Sequence, residues 1–220
     1  MNQMFCFQCQ QTAGNVGCTG KAGVCGKKAD TAQLQDRLTG ALIGLAKTAQ
    51  NGKPTADTAK LIIEGLFTTL TNVNFNNKTI EATTAEIERE KKVLSPNPAA
   101  DYDMDNLWQA DEDIRSLKSL ILFGLRGVAA YAYHALVLGY TDDDVNNFFY
   151  EGLAAVGAEH TTDELLPLVM KTGEINYKCL EMLDRANTET YGIPQPVTVS
   201  QTVEPGPFIV ITGHDLRDLK

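Results

Sequence analysis

The sequence predicts a mainly α-helical chain: an N-terminal Cys-rich cluster loop, then two three-helix bundles related by internal duplication, then the first strand of a truncated α/β domain. Three observations predict it. Apolar residues recur at three- and four-residue steps through residues 30–94 and 111–190, the spacing of one helical face. Four of the five cysteines fall between Cys6 and Cys25, in a glycine-spaced segment with few large apolar side chains. Beyond residue 190 the helical pattern gives way to prolines and a continuous apolar run, Phe208–Ile211.

Residues 1–29 form the loop. Cys6, Cys9, Cys18 and Cys25 follow C-x2-C-x8-C-x6-C, with Gly14, Gly17, Gly20, Gly23 and Gly26 among and after them. Phe5, Phe7, Val16 and Val24 cannot build a core alone, so something else must order the segment. In the first bundle, residues 30–94, Asp30 and Gln33 suggest a capping box, and Leu34, Leu38, Leu42 and Leu45 mark a helical face. Thr55 or Asp57 opens a second helix through Leu70, and a charged third helix runs from about Thr79 to Leu94.

Residues 95–110 read as a connector, since Pro96, Pro98 and the aspartates stop a helix. Trp108, the single tryptophan, is expected to plug a seam between units. The second bundle, residues 111–190, has helices expected over 111–139, 141–156 and 161–187, with Pro167 kinking the last. A faint echo supports duplication: Gly44-Leu45 followed by Gly65-Leu66 is mirrored by Gly124-Leu125 followed by Gly152-Leu153, and helix-interior glycines imply close crossings. In residues 191–220, Val197–Val203 reads as an extended edge segment and Phe208–Ile211 as a buried strand entering the turn Thr212-Gly213-His214-Asp215.

The chemistry lies in the cysteines. Disulfides fit poorly: the count is odd, the start Met1-Asn2-Gln3-Met4 is no signal peptide, and the chain is large enough to fold without them. Structural zinc stays open, but only Cys6 and Cys9 form a knuckle. An iron-sulfur cluster, held by four thiolates at varied spacing in a Gly-rich loop, fits best. Charge agrees with an anionic centre. The chain carries a net charge of -9, yet residues 1–29 contain Lys21, Lys27 and Lys28 and no acidic residue. Cys179, on an apolar helical face, reads as a core residue, and His134 and His160 as packing and loop residues.

The segments Phe5-Cys6-Phe7-Gln8-Cys9-Gln10-Gln11-Thr12-Ala13, Gly17-Cys18-Thr19 and Val24-Cys25-Gly26-Lys27 resemble the start of the hybrid-cluster (prismane) protein family, the hydroxylamine reductases. The resemblance continues in Asp113–Leu117, Gly124–Ala132, Ala186–Thr188 and Tyr191-Gly192, and ends in Thr212–Leu216. It implies two helical bundles with the cysteine loop packed on them, and a cluster relaying electrons to a second, hybrid iron-sulfur-oxygen cluster. Of the spacings that the family resembles, this chain matches the four-iron type in its middle gap and the two-iron type in its last. A [4Fe-4S] cluster is preferred, with [2Fe-2S] open.

By the same resemblance His214 is an iron ligand of the hybrid cluster, whose other ligands are expected from C-terminal α/β domains missing here. The implied substrate is hydroxylamine, reduced to ammonia and water, with nitric oxide as an alternative, and an unidentified redox donor supplies electrons. The 220 residues alone are expected to be inactive on hydroxylamine. Two other classes stay open: an electron-transfer or scaffold subunit working with a separate α/β partner, and a zinc-stabilised helical interaction module. A sequence pI near 4.8 argues against a nucleic-acid partner. No membrane span is expected, because Lys118, Arg126 and His134 interrupt Leu117–Tyr140, and reduced thiols suit the cytoplasm.

Overall fold

Seven helices carry the architecture of the computed structural model, which describes residues 4–9, 11–12, 14, 16–70 and 73–211. They are α1 (Ala29–Asn51), α2 (Ala56–Thr68), α3 (Asn77–Leu94), the short α4 (Asp105–Trp108), α5 (Glu112–Val137), α6 (Asp143–Val156) and α7 (Thr162–Tyr191). No strand occurs among the described residues, so the mainly-α class holds.

Caps explain most boundaries. Thr55 and Thr58 form a capping box on α2, and Thr161 and Glu164 form one on α7. Asn76, Asp111 and Asp142 accept from the first-turn N–H groups of α3, α5 and α6. The start of α1 differs from expectation. It begins at Ala29 behind Lys28, which makes no side-chain cap, and Asp30 lies inside the first turn. There Asp30 accepts from Asn77 Nδ2 at 2.9 Å, so its carboxylate joins α1 to the start of α3.

The two helical triads do not keep to themselves. The middle helix of each lies against the first helix of the other: α6 packs on α1 and α2 packs on α5. The contacts within each triad match in pairs: α1 with α3 as α5 with α7, α1 with α2 as α5 with α6, α2 with α3 as α6 with α7. The glycine echo marks the same crossing twice. A Cβ on Gly65 would stand 2.8 Å from Leu42 of α1, and one on Gly152 would stand 3.0 Å from Leu125 of α5.

One continuous core results, running from Leu38 and Leu42 through Ile62, Leu66, Leu125, Phe148 and Phe149 to Leu165 and Met182. The expected boundary between a first and a second bundle is therefore a boundary in sequence that the core crosses. The reason is in α1 and α5, which are apolar over too much of their circumference to be covered within one triad. The C-terminal end of α6 is closed from both sides: Lys47 of α1 donates to the Gly157 carbonyl at 2.6 Å and Lys118 of α5 to that of Ala158 at 2.5 Å.

Helix α5 is long and apolar enough to cross a membrane by length and composition. Here α2, α6 and α7 pack around it, as around a core helix. The connector lies along α1, with the Tyr102 N–H bonded to the Gly40 carbonyl at 3.1 Å and the Asp101 carboxylate held by buried Lys91.

Residues 192–211 form neither helix nor strand, contrary to the expected edge segment and strand. Phe208, Ile209, Val210 and Ile211 are exposed, Ile209 to 89%. A strand is defined by its ladder, and among the described residues no backbone pairs with this segment. The expected turn at residues 212–215 lies outside the described residues.

Candidate metal centre

The loop ahead of α1 is tied by backbone pairing between two of its cysteines. Cys6 donates to the Cys18 carbonyl at 3.1 Å and Cys18 donates back at 2.8 Å, an isolated antiparallel bridge. Gly17, with φ +94°, makes the approach to Cys18 in the left-handed region. A turn from Gly23 to Lys27 carries Cys25, closed by the Gly23 N–H on the Lys27 carbonyl at 2.8 Å. Cys6 and Cys18 are buried, while Cys9 and Cys25 are partly exposed, and all five cysteines are free of disulfides.

Aromatic rings seat this loop on the helices. Trp108 lies edge-on to Phe5 at 6.1 Å and to Phe7 at 5.2 Å, and Phe7 reaches Phe123 of α5 at 6.3 Å. The seam that Trp108 fills is thus the one between the loop and the core.

A buried polar network completes the seat, and Gln8, inside the C-x2-C turn, is its hub. Its Nε2 donates to the Ala32 carbonyl at 3.0 Å and to Asp36 Oδ1 at 2.7 Å. Its Oε1 accepts from Lys27 Nζ at 2.5 Å, and its backbone carbonyl accepts from Arg126 at 2.8 Å. Lys27 Nζ also lies 3.9 Å from Cys6 Sγ. Arg126 crosses from α5, gives a second bond to Thr39 Oγ1 at 3.3 Å, and has an Nε with no hydrogen-bond partner among the described residues.

Lys27 and Arg126 are only 3% and 2% exposed, and Asp36 is the one carboxylate bonded within the network. The thiols therefore face an excess of buried positive charge. Burial pushes the Cys6 thiol above its ordinary range, and Lys27 pulls it back. Burial lowers the Arg126 guanidinium to about 10, opposed by Asp36 and then by Cys6 and Cys9. These residues fit an anionic, thiolate-held group, whose negative charge would answer both cations.

Cys6 and Cys18 are brought side by side. Among the described residues, however, no three Cys, His, Asp or Glu side chains form a group that could hold a metal ion. A common centre for all four thiols therefore belongs to the proposal below. His214 lies outside the described residues. Cys179 is fully buried with Sγ 3.6 Å from the Val128 carbonyl, its thiol pushed up to about 12 by burial, as suits a core residue. His134 packs edge-on to Phe67 and Tyr133, and His160 lies 3.6 Å from Glu164.

Burial also pushes the Asp36 carboxyl from 3.8 to about 6, against the Gln8 hydrogen bond and the charge of Arg126. The folded chain thus holds this proton more tightly than the unfolded one. The stability it contributes is full below about pH 4 and is lost as pH rises through about 6. Asp36→Asn keeps an acceptor for Gln8 and removes the dependence. Urea unfolding at pH 4 and pH 7 is expected to show the wild type losing up to about 3 kcal/mol more than the variant across that window, less as Asp36 keeps some solvent contact.

Fold and site together define a helical domain that presents a cysteine-bearing loop on a buried cationic seat. Residues 4–220 match the Prismane/CO dehydrogenase family, and the chain belongs to it. Among its relatives, the hydroxylamine reductase of Solidesulfovibrio magneticus is 39% identical over 99% of this chain and 46% of its own length. That of Desulfitobacterium hafniense is 40% identical over 99% and 45%, and that of Methanocella arvoryzae 39% over 99% and 46%. The chain spans about half the length of the curated relatives it matches.

Proposed function

We propose that this chain is the electron-relaying N-terminal part of a hydroxylamine reductase, and that Cys6, Cys9, Cys18 and Cys25 hold an iron-sulfur cluster, [4Fe-4S] in the preferred form. The observation that carries this is the buried excess of positive charge against the C-x2-C turn, in a chain whose relatives bear that name. A bound cluster would supply one-electron transfer. The chain's own part is to provide four thiolates, to offset their charge with Lys27 and Arg126, and to shield the turn with Phe5, Phe7 and Trp108.

In this reading a second, hybrid cluster would supply the two-electron, two-proton reduction of hydroxylamine to ammonia and water. His214 would be one of its iron ligands, and the other ligands would come from segments not among these residues. Nitric oxide is the alternative substrate, an unidentified redox donor supplies the electrons, and a reducing cytoplasm keeps the thiols free. The 220 residues by themselves relay electrons and release no ammonia from hydroxylamine.

Anaerobic reconstitution with ferrous iron and sulfide tests the reading. The expected product is brown, with stoichiometric iron and sulfide and a reversible one-electron signal. A colourless chain that retains zinc instead would refute it, and ammonia release by the loaded chain would refute the division of labour.

A further inference from the structure

Arg126 is an unexpected residue for its place. It stands in the apolar run Leu120–Ala132, is 2% exposed, and makes no hydrogen bond on its own helix among the described residues. Burying a guanidinium costs several kcal/mol unless charge and hydrogen bonds answer it. Both of its hydrogen bonds leave α5: one to the carbonyl of Gln8 between Cys6 and Cys9, the other to Thr39 on α1. Its guanidinium also lies 6.0 Å from the ring of Phe123, which in turn packs 6.3 Å from Phe7 of the same turn. One side chain thus joins the second triad, the first triad and the cysteine loop.

We infer that Arg126 is a positioning residue for the proposed centre: it pins the turn carrying Cys6 and Cys9 and, with Lys27, biases that place toward the more negative state of whatever the thiols hold. This rests on the reading above, with a thiolate-bound anionic group as the ligand class. A plain tether would do the first job and not the second. The two are separable, because lysine keeps the charge of Arg126 without its paired N–H groups.

The test uses the full chain as Arg126→Met and Arg126→Lys. In the metal-free protein, hydrogen exchange at the Cys6 and Cys18 amides reads the pinning. About tenfold or more faster exchange is expected in both variants, the factor implied by losing a hydrogen bond to a charged group. After reconstitution to equal iron content, a redox titration reads the bias. Removing a buried cation disfavours the reduced state, so Arg126→Met is expected at a more negative midpoint potential, with Arg126→Lys near the wild type.

Unchanged exchange in both variants would overturn the pinning. Unchanged potential in Arg126→Met would reduce Arg126 to a tether and overturn the inference. Should Arg126→Met fail to fold, Arg126→Gln, which keeps side-chain N–H donors without the charge, takes its place: a more negative midpoint potential is expected of it, and an unchanged one would overturn the inference. A wild type that takes up no iron is a different failure: it sinks the functional reading, and with it the electrostatic half of the inference.

Discussion

Cys9→Ala is expected to lose stoichiometric iron and sulfide after anaerobic reconstitution, while its helical circular dichroism stays at the wild-type level. Cys9 is partly exposed in the loop, outside the continuous core, so its removal leaves no cavity among packed helices. The same treatment of Cys179→Ala should leave iron uptake intact. Cys179 is buried in the continuous core between α5 and α7, its Sγ 3.6 Å from the Val128 carbonyl, and does not belong to the loop. Iron and sulfide assays on the two variants, read beside their far-ultraviolet spectra, check both halves. Full loading of Cys9→Ala would remove Cys9 from the proposed ligand set.

Phe148→Ala is expected to cost about 3–5 kcal/mol, which for a chain of this size lowers the melting temperature by roughly ten degrees. The ring is 1% exposed on α6, beneath Lys171 Nζ at 5.4 Å, and belongs to the core shared by both triads. Because that core is continuous, the loss should appear as one transition moved as a whole. Two transitions, one unmoved from the wild type, would mean that the triads fold separately. Scanning calorimetry distinguishes the outcomes.

The helices were legible in the sequence because their information is local. Apolar residues at three- and four-residue steps and caps such as Thr55 and Thr161 act within one turn. The glycine echo even pointed to the paired crossings at Gly65 and Gly152. What escaped depends on distant partners. Asp30 looked like a cap and instead reaches Asn77, and the run Phe208–Ile211 has a strand's composition without a ladder. The exchange of α2 and α6 between triads leaves no trace in spacing, since it depends on which apolar face meets which.

The site divides in the same way. The four thiols and the local lysine excess stand out in residues 1–29. Gln8, Asp36 and Arg126 do not, being ordinary residues until the fold brings them together across up to 118 positions. One signal was available: a lone arginine in an otherwise apolar helix must find a partner. In the sequence that arginine argues against a membrane span and lies in a family-like segment, but neither reading names its partner.

The exchanged helices also say what the connector is for. A single triad would leave the faces of its first and middle helices bare, and two copies of such a triad would have to find each other in solution. Joining them through residues 95–110 makes that meeting intramolecular, at an effective concentration set by the short link, so dilution cannot part the halves.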